Sequence, residues 1–223
     1  MSRRQMIYLH GFASSPQSTK AKWLTSRARA IGVPLVCPDL NGDDFEGLTV
    51  TRMLEHVIGT MDALPDGPVV LVGSSLGALV ALFAAVRCAG TAGARRHPIE
   101  SLVFLAPALD LVPGLARHFG PARMAEWRAS GSLEVFHYAE NRPRTLGYGF
   151  VADAERYDAF DAQDETPTLA YQGTRDDTVD AAMVARWAAT RPHVDLRLLD
   201  DDHQLLASLE LIWSGVCGFL RLT

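Results

Sequence analysis

The chain has 223 residues, 48% hydrophobic and 21% charged, enough to bury a core of its own and unlike a disordered or fibrous protein. Its 21 Lys and Arg against 26 Asp and Glu leave a net charge of -5, which gives no electrostatic footprint for nucleic acid or an anionic membrane. No apolar stretch approaches the length of a membrane span, so the expected partner is a small molecule or an acyl chain.

Met1-Ser2-Arg3-Arg4-Gln5 is positively charged, but only four apolar residues precede His10, too few for a signal-peptide core, and the expected location is cytoplasmic. Met6 to Leu9 fits a buried parallel strand that ends in the tight loop His10-Gly11-Phe12. Ser18 or Thr19 then caps a helix with Ala21, Trp23, Leu24, Ala28 and Ile31 on its apolar face, stopped by Gly32. Val33 to Leu40 reads as a second strand closed by Asn41-Gly42, and Leu48 to Leu64 as an amphipathic helix.

Val69-Val70-Leu71-Val72 runs straight into Gly73-Ser74-Ser75-Leu76-Gly77 and on into an Ala/Leu-rich helix reaching about Ala89. A Gly-x-Ser-x-Gly string alone is a common turn. Between a strand and a helix it becomes a sharp bend on which small flanking residues let the two elements approach, so Ser75 would project its hydroxyl beyond the sheet edge. Leu76 opens the helix, and its backbone N–H faces the space where a developing oxyanion would sit.

Gly90 to Pro98 is a loop, in which Arg95-Arg96-His97 reads as solvated surface; Ser101 to Ala106 is a fourth strand. The interval Pro107 to Pro167 is too long for a simple crossover and is rich in aromatic residues, with helical pieces near Leu111 to His118 and Ala122 to Ala129. An insertion after a parallel strand emerges on the side where ligands bind, so 107–167 is read as a cap within one domain spanning 1–223. Thr168 to Gln172 and Val194 to Leu199 are the fifth and sixth strands, with Val179 to Thr190 helical between them. A last amphipathic helix is expected from His203 to Arg221, with Leu205, Leu206, Leu209, Ile212, Val216, Phe219 and Leu220 turned inward. Alternating strands and helices imply an α/β protein of three layers, a mainly parallel sheet of about six strands with helices on both faces.

A serine hydroxyl needs an imidazole to take its proton and a carboxylate to orient that imidazole. Of seven histidines, His56 lies within a helix, His97 and His193 beside prolines, and His118 and His137 in the cap. His203 follows the last strand, on the same sheet edge as Ser75. Asp200 to Asp202 are read as loop-solvating residues. For the carboxylate, Asp176 and Asp177 both follow the fifth strand, and Asp110 after the fourth is the reserve. The loop after the first strand would offer the Phe12 N–H as a second oxyanion donor, with His10 holding that loop.

In their order along the chain, these segments resemble the α/β-hydrolase superfamily from Tyr8-Leu9-His10-Gly11-Phe12 to Asp202-His203. The family's acid signature is matched by Gln172-Gly173-Thr174-Arg175-Asp176-Asp177-Thr178-Val179, a registration that selects Asp176, with Gln172 where the family usually has histidine. His10 to Pro16 is similar to small bacterial esterases of the YqiA kind, and the cap, with Trp127, Tyr148 and Phe150 as substrate-binding candidates, resembles the acyl-protein thioesterase branch that also acts on acyl glucuronides. The resemblance implies a serine hydrolase that cleaves an ester or acyl thioester through an acyl-enzyme, with Ser75, Asp176 and His203 as the triad and Phe12 and Leu76 at the oxyanion. No cofactor or metal is expected, since neither a His-Glu-x-x-His motif nor clustered Cys and His occurs. The alternative is a non-hydrolytic binding protein or lyase on the same fold. Cys37, Cys88 and Cys217 are odd in number and set in apolar runs, so no disulfide framework is expected.

Overall fold

In the computed structural model, which describes residues 4–89 and 96–222, successive residues of each central strand face two different apolar layers. Strand β1 (Gln5–Leu9) sends Ile7 and Leu9 to one side and Met6 and Tyr8 to the other; β3 (Val69–Ser74) does the same with Val69 and Leu71 against Val70 and Val72. Both strands are buried on both faces, which accounts for their unbroken apolar runs. With β2 (Leu35–Val36), β4 (Ile99–Leu105), β7 (Thr168–Gly173) and β8 (Val194–Leu199) they form a parallel sheet in the order β2-β1-β3-β4-β7-β8. Helices α1 (Thr19–Ala30) and α7 (Leu209–Leu220) cover one face, and α2 (Val50–Asp62), α3 (Leu76–Ala89) and α6 (Ala181–Ala189) cover the other. The three-layer α/β architecture is as expected. Arg95 of the basic cluster, most of the Gly90 to Pro98 loop and residues 1–3 of the N-terminal segment lie outside the described residues.

The expected helices are present within a few residues of their expected ends. Ser18 caps α1, its Oγ accepting the Ala21 N–H at 3.3 Å, and Thr49 caps α2 by accepting from Arg52 N at 3.1 Å. Two expectations fail locally. The second strand pairs only over Leu35–Val36, because Pro34 and Pro38 flank it and proline has no N–H for the ladder. The last helix begins at Leu209, not His203. Carboxylates in the loop take the backbone donors a helix would use: Asp201 accepts from Asp202 N at 2.8 Å and Ser208 N at 2.9 Å, and Asp202 accepts from Gln204 N at 2.8 Å. Leu205 adopts φ 53° and is buried, while Leu206, expected to face inward, is 43% exposed.

Between β4 and β7 the chain leaves the sheet. The two predicted helical pieces are joined as α4 (Leu111–Ser130), broken at Gly120, whose φ of 76° and ψ of 161° precede Pro121. An unforeseen antiparallel hairpin follows, β5 (Ser132–His137) with β6 (Arg142–Gly147), and then a short helix α5 (Gly149–Ala154). This layer is fastened to the body at several points. Thr51, at the start of α2, bonds Asp153 through both N–H (2.8 Å) and Oγ1 (2.6 Å), Gly147 N donates to Glu46 O at 2.8 Å, and Ala139 N to Ala13 O at 3.2 Å. Among the described residues no helix is long and apolar enough to cross a membrane.

Candidate active site

The turn between β3 and α3 is built by close packing. A methyl group at Gly73 would sit 2.5 Å from Gly77 O and 2.6 Å from Ala78 N; one at Gly77 would meet Leu9 C at 2.6 Å and His10 O at 2.7 Å. Only glycine lets α3 and the loop after β1 close on the strand end this tightly. Ser75 is left at φ 53°, a left-handed conformation that costs a non-glycine residue energy, and its N–H is held by Leu105 O at 2.9 Å. Gly77→Ala is therefore expected to lower the melting temperature by about 5 °C, measured by circular dichroism. Wild-type stability for this variant would show that the approach is not needed.

The loop after β1 leans on the same turn: a methyl at Gly11 would lie 3.2 Å from Ser75 Cβ. His10, almost wholly buried, ties this loop as expected. Its Nε2 lies 3.0 Å from the Leu40 amide nitrogen and 3.2 Å from Asp39 Oδ1, and its Nδ1 lies 2.9 Å from Gly11 O. Among the described residues no turn or loop hydrogen bond uses the backbone N–H of Phe12 or Leu76, the two amides expected at an oxyanion.

His203 and Asp176 meet across the ends of β8 and β7. His203 Nδ1 lies 2.9 Å from Asp176 Oδ2, and the aspartate side chain is fully shielded from solvent. Its other oxygen, Oδ1, accepts from Thr178 N at 2.9 Å and Val179 N at 2.8 Å, while Gln172 Nε2 donates to Oδ2 at 2.8 Å. Burial pushes this carboxyl upward, yet the bonds from His203, Val179 and Gln172 together with the imidazole charge hold it below the ordinary carboxylate range. Gln172 thus supports Asp176 from the position of the family's histidine. Gly173 lets the two loops touch, since a methyl there would meet Asp201 O at 2.5 Å. Among the described residues no hydrogen bond joins Ser75 Oγ to His203; such contacts are often loose until substrate is bound.

Other candidates fall elsewhere. Asp110 stands at the N-terminus of α4 and pairs with Arg117 at 2.7 Å, and Asp177 bonds Thr178 Oγ1 at 3.1 Å. Of the aromatic substrate-binding candidates in 107–167, Trp127 and Phe150 are fully buried, so they brace the layer between β4 and β7 instead of offering surface to a ligand. Trp127 Nε1 donates to Leu146 O at 3.0 Å; Phe150 packs on Phe12 with ring centroids 5.5 Å apart, and half-buried Tyr148 stacks edge-on against Trp127 at 6.1 Å. Arg142 and Arg144 of the β5–β6 hairpin both pair with Glu140. Among the described residues no cluster of three or more His, Cys, Asp or Glu is placed to hold a metal ion. One residue near the site was missed from sequence: Lys20, buried beside Ser74. A lysine in a first helical turn reads as solvated, and nothing local distinguishes this one.

The description "Uncharacterised protein family (UPF0227)" belongs to the family model that matches residues 5–214. Human palmitoyl-protein thioesterase ABHD10, mitochondrial, is 26% identical over 158 residues, covering 68% of this chain and 49% of the human protein. The chain thus spans about half the length of the curated relatives it matches. Among solved structures, a protein of Agrobacterium vitis S4 superposes with a TM-score of 0.85 at 24% identity, over 97% of this chain and 88% of that one. Mouse alpha/beta hydrolase domain-containing protein 10 gives 0.79 at 22% identity, over 97% and 89%. These likenesses show a common fold.

Proposed function

As the chain belongs to the uncharacterised protein family UPF0227 and has the α/β-hydrolase fold, we propose that it is a serine hydrolase cleaving a carboxylic ester or acyl thioester through an acyl-enzyme. The observation that carries this reading is the 2.9 Å contact between His203 and a fully shielded Asp176 at the sheet edge that also bears left-handed Ser75. In this mechanism Ser75 Oγ attacks the acyl carbonyl while His203 Nε2 takes its proton. The Phe12 and Leu76 amides receive the negative charge on the carbonyl oxygen, and His203 returns the proton to the departing alkoxide or thiolate. Water, deprotonated by the same imidazole, then releases the acid and restores Ser75. Asp176 holds the ring with its Nδ1 proton inward, so that Nε2 can act as base.

The test is labelling by a fluorophosphonate, expected at Ser75 and located by mass spectrometry. A folded protein that stays unlabelled would overturn the hydrolase reading and leave the binding protein or lyase.

The acyl thioester is favoured by the ABHD10 relatives, which are palmitoyl-protein thioesterases by name. Residues 107–167 are proposed as the cap that selects the acyl group. Phe12 offers a half-buried apolar ring beside the oxyanion amide, backed by Phe45 at 6.0 Å and Phe150 at 5.5 Å. Turnover in matched series of p-nitrophenyl esters and acyl thioesters is accordingly expected to peak at a preferred chain length. A flat profile would remove the cap from selectivity.

A further inference from the structure

Lys20 is the second residue of α1 and only 7% exposed, and its Nζ donates to Ser74 Oγ at 2.9 Å. Ser74 immediately precedes Ser75 and lies on the side of β3 that carries Val70 and Val72, so Lys20 reaches the turn from the α1/α7 layer. Two features oppose a charge here. The side chain is desolvated, and it stands in the first turn of a helix, the end where the backbone is already positive. Among the described residues no carboxylate lies within ion-pair distance of it. What favours the ammonium is the charge of more distant acids: Asp176 on the loop after β7, and Asp202 and Asp201 on the loop that carries His203. Tyr8 of β1 also faces the hydroxyls of Ser74 and Ser18, with Cys37 near it, and is kept protonated by burial.

We infer that Lys20 is a positioning residue: its ammonium, bonded to Ser74, holds the turn that bears Ser75 against the start of α1. The inference rests on the assignment of Ser75 and His203 above. The geometry gives the buried charge a place to act: the cation bonds the residue next to Ser75 and joins the end of β3 to the first turn of α1. Neutralise it, and Ser74 loses a charged donor.

Titration gives a signature that a filler side chain would lack. Burial lowers the Lys20 ammonium to about 8, with Asp176, Asp202 and Asp201 pulling the other way. Because the unfolded chain binds this proton more tightly, the contribution of Lys20 to stability rises as pH climbs from about 8 toward the ordinary lysine value of 10.5. Positioning, by contrast, is lost as pH rises through about 8.

The experiment follows kcat and KM for a p-nitrophenyl ester between pH 6 and 10, with fluorophosphonate labelling and melting curves, in wild type, Lys20→Met, Lys20→Arg and Ser74→Ala. Wild type is expected to lose kcat with a midpoint near 8. Lys20→Met should be slower by about 100-fold in kcat at pH 7, with little change in KM, no fall in melting temperature and no alkaline step. Lys20→Arg should restore much of the rate and abolish the step, and Ser74→Ala should be slower but keep it. The inference is overturned if Lys20→Met turns over like wild type, or if it keeps the alkaline step at the wild-type midpoint. A merely structural role would show as lost stability with an unchanged profile. A wild-type protein that neither labels nor turns over would sink the hydrolase reading itself, and this inference with it; labelling with unaltered profiles sinks only the role of Lys20.

Discussion

Ser75→Ala is expected to abolish fluorophosphonate labelling and to lower kcat for ester hydrolysis by about 10⁴-fold or more, leaving only what the oxyanion amides and binding contribute. The fold should survive, because alanine keeps the Cβ and the Leu105 carbonyl still receives the residue's N–H. A second substitution at the same position separates chemistry from strain. Residue 75 is held at φ 53°, which glycine adopts without penalty, so Ser75→Gly should also be inactive yet more stable than Ser75→Ala by about 1 kcal/mol. Denaturant melts of the two variants measure this difference. Equal stabilities would mean that the turn is not strained, and residual turnover near the wild-type rate in either variant would remove Ser75 from the mechanism.

Asp176→Asn should be nearly as damaging to activity and, unlike the serine variants, should also weaken the fold. Each carboxylate oxygen faces two donors: Thr178 N and Val179 N on Oδ1, Gln172 Nε2 and His203 Nδ1 on Oδ2. Turned toward the Oδ1 side, the asparagine NH₂ meets the Thr178 and Val179 N–H groups; turned the other way it meets the Gln172 amide and drives the His203 ring into the wrong tautomer. The expected cost is about 1 to 3 kcal/mol of stability, from donors left unpaired in a buried site, and about 10⁴-fold in kcat as the imidazole loses its orienting acceptor. The pH dependence has a definite sign. Because the folded carboxyl is held below its ordinary value, its contribution is present in full above the unfolded pKa of about 4 and is lost as pH falls through the lowered value. The gap in melting temperature between wild type and Asp176→Asn should therefore be constant near neutrality and narrow in acid. A gap that widened below pH 4 would contradict this.

The elements that carry Ser75, Asp176 and His203 were legible because each combines an apolar strand with a loop at its carboxyl end, and period and punctuation both survive in one sequence. Cooperative local choices hid the rest. The start of α7 was misplaced because Leu205 and Leu206 continue a helical spacing, while the competing bonds from Asp201 and Asp202 depend on loop geometry. The β5–β6 hairpin was missed because Arg142-Pro143-Arg144 reads as a loop; Pro143 is tolerated in a two-stranded ladder open on its outer edge. Burial of Trp127 and Phe150 could not be told from a binding role, since an aromatic stripe serves either. Lys20 was invisible for the opposite reason: its environment is assembled from β1, β3 and two loops more than a hundred residues away in sequence.

The sheet is open, and its two outer strands are guarded in different ways. Beside β1, the ladder offers a partner only over Leu35–Val36, and the flanking Pro34 and Pro38 cannot donate to an incoming strand. On the far side, β8 carries the half-exposed pair Asp195 and Arg197, 2.7 Å apart, with Arg197 also lying over the Tyr171 ring, so another chain that docked there would have to bury or break that pair. Leu198, 53% exposed, is the apolar contact left on this strand that such a chain would seek. The consequence concerns solubility: recovery from denaturant at high protein concentration should depend on these few residues, which keep one molecule's sheet from extending into the next.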